Sequence, residues 1–208
     1  MKTFSAKTVL GKTFKTLEFE GKWQQLIGKP EYNFSGIVYG APKSGKSTFC
    51  LQFAGYLTAF GKVLYNATEE GISQSLQERI DRNMAHVIKP EKLFFCRCLD
   101  MTEFKKMIKS TKPRFVIIDS AQSMNMTVRQ LHELKEFKPK RTIIVVLQSK
   151  RNGDFLGAQA WVHDTDIRIS LHNGTAKQVG RFQQEGTMQV LENARITARN
   201  GTLFPNYQ

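Results

Sequence analysis

Residues 34–48 read FSGIVYGAPKSGKST, and this stretch decides the fold. Phe34 to Tyr39 is a short apolar run of the kind that makes a strand buried on both faces. Gly40-Ala41-Pro42-Lys43-Ser44-Gly45-Lys46-Ser47 then satisfies the spacing G-x-x-x-x-G-K-[ST], and a helical run, KSTFCLQFAGYLTAF, begins at Lys46. Strand, glycine-rich turn and helix in that order make a cradle for phosphate. The glycines let successive N–H groups face the phosphate oxygens, and the helix N-terminus adds partial positive charge. Lys46 is expected to reach the β- and γ-phosphates and Ser47 to ligate magnesium, with Gly40 through Ser47 and the adjoining Thr48 as the nucleotide-binding residues. Lys43 lies inside the loop, although no spacing rule demands a cation there.

Outward from this loop, apolar strands alternate with amphipathic helices. The expected strands are 34–40, 62–69, 93–99, 114–120 and 141–149; the expected helices begin after Gly45, Gly71, Asp100 and Met126. That alternation predicts an α/β fold: a mostly parallel central sheet with helices on both faces. Beyond residue 165, DIRISLHNG, KQVGRFQQ and MQVLENARI are separated by glycines and read as an antiparallel C-terminal extension. Residues 33–208 form the expected nucleotide-binding domain. Residues 1–32 are the least readable part, and LEFEGKWQQLIGKPE is expected either to pack on the core or to contact a neighbouring subunit.

Phe115 to Asp119, FVIID, is a buried parallel strand ending in one carboxylate, which places Asp119 as the second magnesium partner, through a water. Ser120 follows it, so a water-activating carboxylate has to come from elsewhere. The candidates are Glu69 and Glu70, at the carboxyl end of KVLYNATE, the sheet edge where open α/β folds collect ligands. From spacing alone the pair fits equally an acidic helix N-terminus stabilised by the helix dipole.

Taken together, GAPKSGKST, VLYNATEEG, FVIIDS and VVLQSK resemble the RecA superfamily of P-loop ATPases, and within it the RadA/Sms and DnaB-helicase branches, over residues 33–201. The resemblance implies that Glu69 is the catalytic glutamate, with Glu70 its neighbour. It also implies that Gln148 senses the γ-phosphate and that Lys150 contacts nucleotide. Ala198-Arg199-Asn200-Gly201 is similar to a segment whose arginine reaches the neighbouring subunit's nucleotide, which makes Arg199 the candidate finger; an ordinary hairpin Arg before an Asn-Gly turn reads equally well. Residues 120–127 and 150–157 match loops that face DNA in the relatives, and plain active-site loops are the alternative. RadA-type proteins add a zinc-binding module and a protease-like domain, for which 208 residues leave no room, so an ATPase core of the kind phages or mobile elements encode is expected.

The charge balance points the same way. Thirty-one Lys and Arg against 18 Asp and Glu give a net charge of +13 and favour a polyanionic partner, with counterion release from phosphates as the source of affinity. Single-stranded DNA bound without sequence preference, and a homo-oligomer around it, are the expected partners. The expected activity is hydrolysis of ATP beside magnesium in recombination, repair or replication; a nucleotide-gated DNA-binding or loading factor with slow turnover is the alternative. A small-molecule kinase is disfavoured, because no arginine-rich lid or acceptor pocket is evident. With no long apolar run or signal peptide, a cytoplasmic protein without membrane association is expected. The three cysteines, Cys50, Cys96 and Cys98, are too few for a four-ligand metal site and are read as reduced core thiols.

Overall fold

The computed structural model describes residues 3–137, 139–149, 158–183 and 185–191. Eight strands form one sheet in the order β3-β2-β4-β5-β1-β6-β7-β8. They are β1 (Ser35–Gly40), β2 (Val63–Ala67), β3 (Leu93–Cys96), β4 (Phe115–Asp119), β5 (Thr142–Gln148), β6 (Ile167–His172), β7 (Thr175–Gly180) and β8 (Gly186–Gln189). From β3 to β6 every pairing is parallel; β6–β7 and β7–β8 are antiparallel. The C-terminal extension is therefore antiparallel only in part. Its first strand pairs with β1 in parallel, Gly36 opposite Ile167 and Gly40 opposite Leu171, and the direction reverses at the Asn173-Gly174 turn, where both residues have positive φ. The β6 sequence alternates burial just as an antiparallel strand would, so its pattern could not reveal its direction.

Seven helices accompany the strands among the described residues: α1 (Ala6–Leu10), α2 (Gly21–Ile27), α3 (Lys46–Leu57), α4 (Gln74–Arg82), α5 (Met101–Thr111), α6 (Val128–Glu136) and α7 (Ala158–His163). Their starts follow capping chemistry. Ser73, Asp100 and Thr127 cap α4, α5 and α6 through their side chains, and Thr127 with Gln130 completes a capping box. The helical run expected after Gly71 is cut at Arg82; Asn83 caps it and a short 3-10 turn, Met84–His86, follows.

Two apolar clusters cover the two sheet faces. On one, α3 packs with Val38, Tyr65, Ile117 and Ile144; on the other, Phe104 and Ile108 of α5 and Leu131 and Leu134 of α6 pack with Val116, Ile118 and Val145. Leu17, Phe19, Trp23, Leu26 and Ile27 lie fully within the first cluster. Trp23 stacks on Phe53 at 4.8 Å and on Tyr56 at 5.5 Å, while Phe19 meets Phe53 and Tyr56 edge-on. Residues 16–32 thus belong to this core, whereas α1 has no buried residue. Trp161 is buried in the second cluster, and all three cysteines are buried free thiols.

Candidate functional site

The strand order brings the site together. β5 lies between β1 and β4, so the turns leaving β1, β5 and β4 stand side by side at the carboxyl edge of the sheet, with the exit of β2 next to β4. In open α/β sheets this edge is where ligands bind.

Leaving β1, the chain turns sharply. A Cβ on Gly40 would come within 2.4 Å of the Leu171 carbonyl oxygen and 2.7 Å of Ser44 Oγ, so only glycine fits beside the β6 strand end. Gly45 has a φ of 102° and serves as N-cap of α3, aiming the first-turn N–H groups of that helix at the loop. Behind the loop stands the β6–β7 turn, whose Gly174 N–H donates to the Ser44 carbonyl. The Lys46 ammonium folds over the loop, donating to the carbonyl oxygens of Gly40 at 2.9 Å and Ala41 at 2.8 Å. Burial lowers its pKa, and the carboxylates of Asp119 and Glu69 oppose that shift.

Asp119 closes β4 and is 7% exposed. It accepts a 2.6 Å hydrogen bond from the Tyr65 hydroxyl, and Ser47 lines the same small cavity beside it. Its pKa is raised: burial is the largest cause, and the hydroxyls of Tyr65 and Ser47 pull the other way. The Ser47 hydroxyl and the Asp119 carboxylate are hard oxygen donors that line one cavity, the donor set a magnesium ion with phosphate and water ligands takes. Magnesium held there would neutralise charge between the β- and γ-phosphates.

The exit of β2 is tied to the same point. Thr68 and Glu69 both donate their N–H groups to the Asp119 carbonyl, at 2.8 and 3.2 Å, and the Thr68 hydroxyl donates to the Ser120 carbonyl. The two glutamates then part. Glu69 accepts from Gln148 Nε2 at 3.2 Å, across 79 residues of sequence. Glu70 pairs with Arg79 of α4 at 2.9 Å. A cleft of about 420 Å3 is bounded by Pro42, Lys43, Gly45, Lys46, Ser47 and Thr48 on one side and by Glu69, Arg79, Asp119, Gln148 and Leu191 on the other. Sharing four of its lining residues, a smaller cavity of about 100 Å3 brings Ser47 and Asp119 together with both glutamates.

A side-chain amide, a carboxylate and a glycine-rich loop at a helix N-terminus in one cleft can together hold a triphosphate and polarise a water at its end. Lys150 and Arg199 lie outside the described residues, as does the 150–157 loop. Three contributors were not anticipated. Tyr65 was hidden in an apolar strand, and Leu191 lies past the last strand, where no motif marks it. Arg79 carried a faint signal, three residues after Leu76, the buried residue of α4, and so on the inward face of that helix.

The model of the AAA domain family matches residues 31–130, from the approach to β1 through the start of α6. Solved structures match over most of the chain. The flagellar accessory protein FlaH from Methanocaldococcus jannaschii is 12% identical with a TM-score of 0.61, covering 85% of this chain and 95% of its own. A KaiC-like protein from Pyrococcus horikoshii is 15% identical with a TM-score of 0.60, covering 81% and 88%. The chain has a RecA-like fold. The ATPase domain of the protein G40P adds a third likeness at 13% identity and a TM-score of 0.57, covering 74% of this RecA-like domain and 80% of its own chain. No curated protein sequence matches it significantly. Among its described residues no helix is long and apolar enough to cross a membrane.

The raised pKa of Asp119 has a measurable consequence in the RecA-like domain. Between the ordinary carboxylate value and the raised one, the folded state keeps a proton that the unfolded chain has released, so the ionised carboxylate destabilises the fold above that range. Asp119→Asn is expected to raise the melting temperature of the nucleotide-free protein at pH 8 more than at pH 5. It is also expected to remove the extra stabilisation that magnesium gives to bound ATP. A lower melting temperature at pH 8 would overturn this account of Asp119.

Proposed function

We propose that this protein binds ATP with magnesium and hydrolyses it, and that it acts on single-stranded DNA as a homo-oligomer in recombination, repair or replication. The observation that supports hydrolysis best is the Gln148–Glu69 hydrogen bond at the mouth of the phosphate loop. It joins a candidate γ-phosphate sensor to a candidate general base, a pairing that a site built only to bind nucleotide does not need. In this reading Gly40 to Thr48 cradle the phosphates, Lys46 neutralises the γ-phosphate, and Ser47 and Asp119 hold magnesium. Glu69 activates the water. Lys150 and Arg199 are proposed to complete the site, Arg199 from a neighbouring subunit, and residues 1–32 to contribute to that subunit contact through their exposed N-terminal part, where Phe4, Val9, Leu10 and Phe14 face solvent.

The DNA partner rests on the net charge of +13, which favours contact with phosphates and predicts affinity that falls steeply with salt. Phosphate release from ATP is the test, measured with and without single-stranded DNA at low and at physiological salt, over a range of protein concentrations. Expected are turnover that DNA stimulates, a stimulation that weakens with salt, and specific activity that rises with concentration as subunits complete one another's sites. Turnover indifferent to DNA at both salts would remove the DNA partner, and specific activity independent of concentration would remove the shared site.

A further inference from the structure

β5 runs one turn of ladder further than β4. The last direct bond from the β4 side is the Ala121 N–H to the Val146 carbonyl at 2.9 Å, and beyond it the backbone groups of Gln148 on that edge have no strand to pair with. Gln148 is the exposed last residue of β5, so its backbone N–H and C=O on that edge need a partner from water or from a side chain. The Gln122 side chain supplies it. Its Oε1 accepts from the Gln148 N–H at 3.2 Å, and its Nε2 donates to the Gln148 carbonyl at 3.5 Å. A carboxamide has the donor and acceptor arrangement of a peptide group, and here it continues the ladder by one residue in place of β4.

The residue so fixed is the one whose own side chain reaches Glu69. Gln122, Gln148 and Glu69 therefore form one chain of hydrogen bonds, from the loop after β4 to the carboxylate at the phosphate loop. The outer end of that chain is not packed solid: Gln122 lines a cavity of about 240 Å3 together with Asn125, Met126, Leu147 and Trp161.

We propose that Gln122 is a positioning residue for ATP hydrolysis: by completing the β5 ladder at Gln148 it holds the sensor amide against Glu69, and through it the 120–127 loop sets the hydrolytic rate. This rests on the hydrolytic reading of the site given above. Among the described residues Gln122 makes no hydrogen bond to the phosphate loop or to Asp119 and does not line the cleft, so its loss acts on the orientation of Glu69 and not on nucleotide binding.

The test is a double-mutant cycle in the full chain. Gln122→Ala is expected to lower kcat roughly tenfold or more, the scale on which a misplaced catalytic group loses rate, while KM for ATP stays within about twofold. Gln122→Met, which keeps length and bulk but neither hydrogen bond, is expected to lose as much. In a Gln148→Ala background, either substitution is expected to cost less than about twofold, because the group it positions is already gone. Full additivity with Gln148→Ala, a loss carried by KM, or a Met variant with normal turnover would each overturn the proposal, the last by showing that Gln122 only fills space. A wild-type chain that releases no phosphate would instead sink the hydrolytic reading and take this proposal with it. Normal turnover in the wild type and both Gln122 variants leaves that reading intact and defeats this one alone.

Discussion

Lys46→Ala is expected to cut phosphate release from ATP by about a hundred- to a thousandfold, the usual cost of removing one preorganised donor from developing negative charge. The ammonium sits within 3 Å of two loop carbonyls, at 2.9 and 2.8 Å, and burial depresses its pKa. Both facts describe a cation held in place at the expense of its own solvation. Its partners within the fold are weak compensation, since neutral carbonyls stabilise an ammonium less than phosphate oxygens do. A triphosphate in the cradle therefore gains the full attraction of a poorly solvated charge, and the gain grows as negative charge develops. The alanine variant should fold normally, because removing a half-buried cation leaves no charge stranded: Asp119 keeps its bond from Tyr65, and Glu69 keeps Gln148. A melt matching the wild type alongside lost turnover is the expected pair of results. Near-normal turnover in the folded variant would defeat the assignment of this loop as the phosphate cradle.

The parts of this site that were legible in the sequence are those in which one residue type can do one job at one spacing. The loop from Gly40 to Ser47 is such a case, because close backbone approach at Gly40 and the left-handed turn at Gly45 admit little else. Asp119 is another, a lone carboxylate ending a strand buried throughout. What stayed hidden depends on contacts across the sheet. The parallel direction of β6 is set by its pairing with β1 and leaves no mark on its own alternation. Leu17, Phe19 and Trp23 cover α3 from a segment whose pattern shows neither a full helix nor a strand, so their burial emerges only from the aromatic packing. Tyr65 looks like any strand residue until its hydroxyl meets Asp119, and Gln122 like any loop amide until the early end of β4 exposes the Gln148 backbone. Spacing also left the choice between Glu69 and Glu70 open.

That choice is where the structure adds most. Both glutamates lie in the turn after β2 and border the small cavity with Ser47 and Asp119, but only Glu69 also lines the larger cleft along the phosphate loop, and their partners differ. Glu70 is engaged by Arg79 at 2.9 Å and accepts from the Ser75 hydroxyl, so that carboxylate is already committed to partners on α4. Among the described residues Glu69 has the neutral Gln148 amide on one oxygen, and its backbone is pinned to the Asp119 carbonyl, which fixes its distance from the magnesium partners. Glu69→Gln is accordingly expected to bind ATP with magnesium about as tightly as the wild type and to hydrolyse it about 10²–10⁴-fold more slowly, the range lost with a general base. Glutamine keeps the shape and can still meet Gln148 by turning its carbonyl oxygen toward the Nε2 group, so the loss isolates proton transfer from packing. Glu70→Gln is expected to behave differently, weakening the hold on Arg79 with a much smaller loss of turnover. Single-turnover hydrolysis with nucleotide binding measured on the same samples separates the two variants. If Glu70→Gln proves to be the one that binds and does not turn over, the base is Glu70, and the Gln148 contact to Glu69 serves to orient the strand exit and not the water.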